Sequence, residues 1–385
     1  MIENPYRNLV SFLRRFMVLP SESDYSIMAL WILHTYFLER CWSTPRLAFI
    51  SPEYGCGKSR GLELLASLSF GGKKLNYCTR SYLMRSVDQM RNDLGRPPTL
   101  LIDEVDNVMK DKSEAATALT AFLNTGYTKS GFYGITDDVG NKKETRDFST
   151  FAPIAFAGKG ENSLPEAVAT RSIIFRVQRR MAHQEIEDFG TFSAQNEADE
   201  LRQWLESWAE GERIALALED ISKGVPLRDR DREVWLPLFG MAHLTGATDD
   251  LLAALDLHLK DRAQSDPSFG VALLEDVLKV FDQTSDPTKI KTSVLISSLN
   301  ALEGADYQGL RYGKGLDSKL FAKKVRGYGI TPKQLRFGDE TGKGYEREPF
   351  ENALNRYAFP SPIPLESETP ETPETSDDEM LSVPW

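Results

Sequence analysis

Cysteine is scarce in this chain. Cys41, Cys56 and Cys78 are the three among 385 residues, and they show neither a paired metal spacing nor a disulfide framework, which suits a reducing compartment such as the cytosol. Long apolar runs are missing too. The most apolar stretch, residues 27–37, contains His34 and is followed by Glu39 and Arg40; it is too short for a membrane span and reads as a buried helix. No signal peptide is expected, because Arg7, Arg14 and Arg15 interrupt any apolar core at the N-terminus. Residues 359–385 hold no Lys or Arg, only Glu366, Glu368, Glu371, Glu374, Asp377, Asp378 and Glu379. Much of the net charge of −11 therefore sits in that tail, and the charge argues only weakly against nucleic acid as a partner.

What is present is a loop. The apolar run Leu47-Ala-Phe-Ile50 leads into Ser51-Pro-Glu-Tyr-Gly-Cys-Gly-Lys-Ser59 and then into helix-like residues 61–68. A short buried strand, a glycine-bearing loop ending in Gly-Lys-Ser and a helix form the layout of a phosphate-binding P-loop, whose backbone N–H groups and helix N-terminus face the phosphates. On this reading Pro52, Glu53, Tyr54, Gly55, Cys56, Gly57, Lys58, Ser59 and Arg60 surround ATP. Lys58 sits on the β- and γ-phosphates, and the Ser59 hydroxyl holds Mg²⁺. The glycine that usually opens such a loop is absent: Pro52 stands there, and Gly55 inside the loop supplies the curl. Cys56 lies within the loop, so thiol alkylation is expected to inhibit.

Gly-Lys-Ser occurs often by chance, so the loop needs a partner motif. Pro98-Thr-Leu-Leu-Ile-Asp-Glu-Val-Asp106 supplies it, reading as a buried strand with an acidic end, expected on a neighbouring parallel strand. Asp103 reaches Mg²⁺ through water and Glu104 polarises the attacking water; a solvated strand end is the plainer alternative. Residues 151–158 form a small-residue strand expected between these two strands or beside one of them. Lys159 and Asn162 at its end stand where such an ATPase places a γ-phosphate sensor. Arg171, at the junction of a short helix and a strand within residues 164–177, is the candidate finger that reaches a neighbouring subunit's γ-phosphate, where a rigid planar cation stabilises transition-state charge. Arg176, Arg179 and Arg180 compete for that role, and a surface ion pair is the alternative.

The remaining text organises into regions. Residues 1–20 form an amphipathic lead-in, with Leu9, Phe12, Leu13 and Phe16 at helical spacing. Residues 21–183 form the ATPase core, beginning with a helix over 25–40 capped by Asp24 or Ser23. Residues 128–147 read as an exposed hairpin whose Lys129, Lys142, Lys143 and Arg146 make either a nucleic-acid-contacting pore loop or a charge-balanced solvated hairpin. Residues 184–285 read as a helical lid, with Trp204, Trp208, Ile214 and Leu216 on an apolar stripe and Arg228 or Arg230 as a sensor. Residues 286–358 read as helix, helix and a hairpin linked by residues 338–343, a winged-helix-like order in which Lys319, Lys323, Lys324 and Arg326 form the recognition surface for DNA, or a protein-docking module. Residues 359–385 are rich in Pro, Glu, Ser and Thr, cannot build a core and are expected to be disordered. The end of that tail, 380–385, is similar to the acidic, apolar-tipped tails with which single-stranded DNA-binding proteins dock partners.

Taken together, Trp31-Ile-Leu-His-Thr35, Thr44-Pro-Arg46, Ser51-Pro-Glu53 with Gly57-Lys-Ser59, residues 98–104, Leu123-Asn-Thr-Gly126, Ala155-Phe-Ala-Gly158, Leu164-Pro165 with Arg171-Ser-Ile173, and Arg230 with Trp235-Leu-Pro-Leu238 resemble an uncharacterised P-loop ATPase domain family. That family forms the C-terminal half of phage, prophage and plasmid primase-helicase polypeptides, and the resemblance spans residues 20–357. Its members similarly read Ser-Pro-Glu before Gly-Lys. The resemblance implies an α/β fold with a P-loop NTPase core of AAA+ or RecA-like type, a helical lid and a C-terminal winged helix. It also implies an ATPase of helicase type using ATP and Mg²⁺, acting on DNA in mobile-element replication in the cytoplasm. Lys58, Glu104 and Arg171 are then catalytic, and Ser59 and Asp103 hold the metal. Partners expected are single- or double-stranded DNA through the winged helix and a ring pore, further copies of the chain in a ring such as a hexamer, and a replication protein at the acidic tail, with no membrane. With no primase half ahead of the ATPase, polymerase activity is not expected. The rival class is a nucleotide-switched DNA-binding adaptor, regulator or helicase loader without motor activity; a small-molecule kinase fits less well, because an acceptor site is missing.

Overall fold

The computed structural model describes residues 4–75, 80–106, 114–139, 142–160, 164–212, 221, 224–225, 227–264, 269–302, 305, 307 and 315–357. The chain forms two compact units, Met1–Leu257 and His258–Trp385. Among the described residues no helix is long and apolar enough to cross a membrane. The expected boundary between residues 285 and 286 falls inside the second unit.

In the first unit α1 (Pro5–Phe16) starts at Asn4, whose side chain accepts from the Arg7 N–H, and it buries Leu9, Phe12, Leu13 and Phe16 as their spacing predicts. Helix α2 (Glu22–Tyr36) is buried on almost every side. Its cap is Ser21, not Ser23 or Asp24: the Ser21 hydroxyl accepts from the Asp24 N–H and the Asp24 carboxylate accepts from the Ser21 N–H, a reciprocal capping box that satisfies two orphan donors. The helix ends at Tyr36, and a short 3₁₀ turn, Leu38–Arg40, follows.

Strand β1 (Arg46–Ser51) is buried at every position, and α3 (Lys58–Leu68), β2 (Lys73–Leu75), α4 (Arg80–Leu94), β3 (Leu100–Ile102) and α5 (Glu114–Thr125) follow. Strands β4 (Phe132–Val139) and β5 (Lys142–Ser149) pair antiparallel as the expected hairpin, although the side chains of Lys142 and Lys143 lie outside the described residues. Strand β6 (Ile154–Lys159), α6 (Glu166–Ala169), β7 (Ser172–Arg176), α7 (Phe192–Glu212), α8 (Asp229–Thr245) and α9 (Thr248–Gln264) complete the unit, α9 crossing its boundary.

Five strands make one parallel sheet in the order β2-β3-β6-β1-β7. A sheet with helices on both faces needs strands that are apolar throughout, which explains the unbroken runs of β1 and β6. The acidic strand β3 does not adjoin β1, although a neighbouring place was expected of it; β6 lies between them, the first of the two placements expected for residues 151–158, its small residues Ala155, Ala157 and Gly158 filling the centre of the sheet.

Two buried polar groups tie α2 and α5 to this sheet. Arg46 donates from Nε and Nη2 to the Leu123 carbonyl at 3.2 and 3.1 Å and from Nη1 to the Ala152 carbonyl at 2.7 Å. Burial, then the charge of Arg171, pull its guanidinium down to about 9. His34 is fully buried with Nδ1 on the Trp31 carbonyl and Nε2 2.9 Å from the Thr44 hydroxyl; burial lowers its pKa to about 3, so the ring is neutral.

Along α7 the buried stripe is Ala194, Ala198, Leu201, Leu205 and Ala209. Trp204 and Trp208 are half-buried at its flanks, Trp208 resting 5.5 Å from Phe37, so the stripe is narrower and smaller than the tryptophans suggested. Ile214 and Leu216 lie outside the described residues. Helix α7 packs on α2 and α3, and α8 on α2.

The second unit contains α10 (Phe269–Asp282), β8 (Lys289–Lys291), α11 (Thr292–Asn300), α12 (Ser318–Arg326), β9 (Lys333–Phe337), β10 (Glu340–Glu346) and α13 (Glu348–Tyr357). Its antiparallel sheet has the order β8-β10-β9, and Phe281, Phe321, Tyr345 and Phe350 centre its core. The β9–β10 turn is Gly338-Asp339 rather than a six-residue linker: Gly338 takes φ 61°, the conformation a two-residue hairpin turn asks of its first central residue. The tail 359–385 lies outside the described residues.

Candidate nucleotide site

The carboxyl ends of β1, β3 and β6 converge on a cavity of about 230 Å³ lined by Tyr54, Gly55, Cys56, Gly57, Lys58, Ser59, Arg60, Asp103, Glu104, Asp106, Ala157, Gly158 and Lys159. This is where ligands bind in open α/β sheets, outside the strand ends where the chain switches direction. The chain leaves β1 for the far edge at β2, returns through β3 and β6, and then crosses to β7 on the other side of β1.

Gly55 and Gly57 have φ of 76° and 83°, a left-handed conformation that favours glycine. Gly57 is the N-cap of α3 and no side chain caps that helix, so its first N–H groups face the loop and attract an anion. Lys58 Nζ donates to Ser51 Oγ at 2.5 Å and to the Glu53 carbonyl at 3.1 Å, while Ser51 Oγ donates to the Glu53 carbonyl at 2.6 Å. These bonds fold the ammonium back across the loop. Ser59 Oγ donates to Asp103 Oδ2 at 2.8 Å, joining α3 to the end of β3.

Glu104 is exposed and has φ 50°, one of two such values among described non-glycine residues. A left-handed glutamate costs roughly 1–2 kcal/mol and is tolerated where surrounding structure imposes it. Here its N–H donates to Asp103 Oδ1 at 2.9 Å, and the turn points both acids out of the sheet.

The expected site residues divide. Tyr54 to Arg60, Asp103 and Glu104 line the cavity, whereas Pro52 and Glu53 do not. Cys56 is buried in the loop, with Sγ 3.8 Å from the Tyr54 carbonyl. Lys159 is at the cavity edge, its Nζ 3.8 Å from Glu53 Oε2 and 4.4 Å from the Tyr54 ring centroid; Asn162 lies outside the described residues. Sequence reasoning misses Asp106 and misplaces Arg179. Asp106, buried, accepts the Lys159 N–H at 3.0 Å and pins β6 to the end of β3; its signal is a third acid in the string that contains Asp103. Arg179 donates from Nε to the Tyr54 carbonyl at 3.0 Å, so this competitor for a trans role is a loop contact within the chain.

Arg171 and Arg230 are elsewhere. The Arg171 carbonyl accepts the Arg46 N–H at 3.0 Å at the amino end of β1, a strand length of about 17 Å from the loop. Neither Arg228 nor Arg230 lines the cavity. Instead, Arg230 Nη1 donates to the Tyr127 hydroxyl at 2.9 Å, and that hydroxyl donates to Glu233 Oε2 at 2.8 Å. Burial, then the Glu233 bond, push the Tyr127 phenol up. The structure thus places Arg230, expected as a sensor, with Tyr127 and Glu233 and not among the residues lining this chain's cavity.

Hard oxygen donors at Ser59 and Asp103 fit Mg²⁺, which commonly takes one or two protein oxygens and completes its shell with phosphate and water. Among the described residues no group of three or more His, Cys, Asp or Glu could hold a metal by itself.

In the second unit Lys319, Lys323, Lys324 and Arg326 are exposed on α12, while Phe321 and Val325 point inward. Basic residues of the neighbouring strands are paired locally, Lys291 with Glu340 and Lys333 with Glu346.

Residues 176–357 match the model of a family described as "Protein of unknown function (DUF3631)"; that span begins beyond the cavity-lining residues. No curated protein matches. Two solved structures of the NrS-1 C-terminal region, both A-form apo structures and one covering its residues 305–718, align at 12% identity over 90% of this chain and 76% of theirs, with TM-scores of 0.40 and 0.42.

Proposed function

We propose that the chain is an ATP-hydrolysing, DNA-acting motor or helicase-type ATPase of phage or mobile-element replication, working in the cytoplasm. Its core is a P-loop NTPase of AAA+ or RecA-like type, with residues 184–285 as a helical lid and 286–358 as a winged helix. The observation that carries this reading is the 2.8 Å bond from Ser59 to Asp103 across the mouth of a glycine-bearing, uncapped helix N-terminus that also holds Lys58. Two separate sequence motifs, the loop at residues 51–59 and the acidic strand end at 98–106, meet there as phosphate chemistry requires.

Each residue then has a defined task. The loop N–H groups hold phosphate oxygens, and Lys58 exchanges Ser51 Oγ and the Glu53 carbonyl for the β- and γ-phosphates. Ser59 and Asp103 hold Mg²⁺, which would neutralise developing phosphate charge. Glu104 orients the attacking water and Lys159 senses the γ-phosphate from the end of β6. Arg171 is too far from its own pocket and serves a neighbouring copy's. In the second unit the helix–strand–helix–helix–hairpin order supports a winged helix, with α12 as its DNA-facing element.

ATP turnover measured with and without single- and double-stranded DNA, alongside mass by light scattering, tests the proposal. Mg²⁺-dependent turnover that DNA stimulates, in an oligomer, is expected. Slow turnover indifferent to DNA would replace the motor with the nucleotide-switched adaptor or loader, and absence of ATP binding would overturn the reading.

A further inference from the structure

Within the first unit, the amino end of the parallel sheet carries a second polar cluster. Tyr127, just beyond α5, is buried. Its ring centroid lies 4.7 Å from Arg171 Cζ and 5.1 Å from Arg230 Cζ, and its hydroxyl bridges Arg230 and Glu233. Glu233 also pairs with Arg230 Nε at 3.4 Å. Arg171 Nη1 donates to the Ala167 carbonyl, whereas its Nε is shielded from solvent without a hydrogen-bond partner among the described residues. Two guanidinium groups thus share one phenol ring while the one carboxylate pairs with Arg230 alone, leaving the charge of Arg171 in excess.

Holding two like charges together is unfavourable unless an anion completes the group. The anion cannot be in the chain's own cavity, which opens at the other end of β1. Charge complementarity points to a second copy, because a triphosphate and the exposed Asp103 and Glu104 make the cavity mouth anionic. Trp42, 63% exposed, lies next to Ser43, whose hydroxyl donates to the Glu233 carbonyl, and offers apolar area on the same side.

We infer that Tyr127 and Glu233 are positioning residues that hold Arg171 and Arg230 as a paired cationic group presented to the triphosphate of an adjoining copy. The inference rests on the ATPase reading. The ring fixes both cations by its π face, and the hydroxyl–carboxylate bond fixes the direction of Arg230. Losing that alignment slows turnover without weakening nucleotide binding, since the cations meet the charge that develops at the transition state.

The test uses the full chain and the variants Tyr127→Phe, Glu233→Gln and Arg230→Ala. Each is expected to lower kcat by about 10- to 100-fold, with KM and the affinity for a fluorescent ATP analogue near wild type. Tyr127→Phe keeps the ring and the fold. Mixing it with Lys58→Ala should restore turnover, because Lys58→Ala copies lend an intact cation pair to intact pockets. Unchanged kcat, weakened nucleotide binding, or no recovery on mixing overturns the inference while leaving the ATPase reading in place. A wild-type chain without turnover overturns both.

Discussion

The five-stranded parallel sheet and the three-stranded antiparallel sheet of this chain solve opposite problems. In the first unit β1 is buried at every residue from Arg46 to Ser51, and its chemistry is confined to the strand ends, where the backbone leaves the core. In the second unit β9 exposes Lys333, Gln334 and Arg336, and charge lies along the surface, where Lys333 pairs with Glu346 and Lys291 with Glu340. A covered parallel sheet concentrates function at its rim, whereas a half-open antiparallel sheet leaves function to the helix beside it. The same contrast separates the two tasks proposed here, nucleotide chemistry and DNA contact.

The comparison breaks most visibly at Lys58. Lys58→Ala should reduce phosphate release by about 100-fold or more, the scale of losing a preorganised charge at the transition state, while DNA binding in a filter or anisotropy assay persists. Full hydrolysis by the variant would remove the loop from the chemistry.

A paired substitution of arginines sharpens the contrast in stability. Arg46→Ala strands the Leu123 and Ala152 carbonyls beside a cavity and should cost about 3–5 kcal/mol in urea unfolding. Arg336→Ala, on the exposed strand, should stay within about 0.5 kcal/mol. Equal costs would mean that the two sheets are not differently covered.

On the buried side pH acts through His34. His34 titrates near 6.5 when unfolded and at about 3 when folded. Between those values the unfolded chain binds more protons, so stability is complete above about pH 7 and falls as pH drops toward 3, by an amount on the order of a few kcal/mol. Thermal melts from pH 7 to 4 should show this loss, and His34→Gln should flatten it.

Smaller effects belong to the second unit. Lys319→Gln with Lys323→Gln should weaken binding to any DNA sequence and lower the salt slope by about 0.9 for each duplex phosphate that is no longer neutralised, without touching ATP affinity; an unchanged slope would take DNA off this helix. At the turn, Gly338→Ala forces a side chain into φ 61° and should cost about 1 kcal/mol in urea unfolding.

Which features are legible in the sequence follows from the same physics. Strands β1 and β6 are legible because buried parallel strands are continuous apolar runs, and the loop is legible because glycine, lysine and serine sit at fixed offsets. Strand β8 is invisible, since Lys289-Ile-Lys291 turns only Ile290 inward and three residues carry no period. The sequence leaves β6 either between β1 and β3 or beside one of them, because strand order is a matter of topology that no local pattern encodes. Arg179 reads as a candidate for facing another subunit, because its partner, a backbone carbonyl at Tyr54, leaves no trace in side-chain identity. Analogy draws Arg230 toward the pocket, while its companions Tyr127 and Glu233 come together only through the fold.

The sheet order also sets a timetable. Leu47 pairs with Ala155 on one side and with Ile173 on the other, so β1 has no strand partner until most of the first unit has been synthesised. Contacts of such long sequence separation form slowly. As the chain leaves the ribosome, the loop at residues 51–59 therefore emerges early but acquires its shape late, after Arg176 is made. A nascent chain halted before Ser172 should leave the apolar edge of β1 open to chaperones and, on the ATPase reading proposed above, hold no nucleotide, so that ATP binding would report completed synthesis of the sheet.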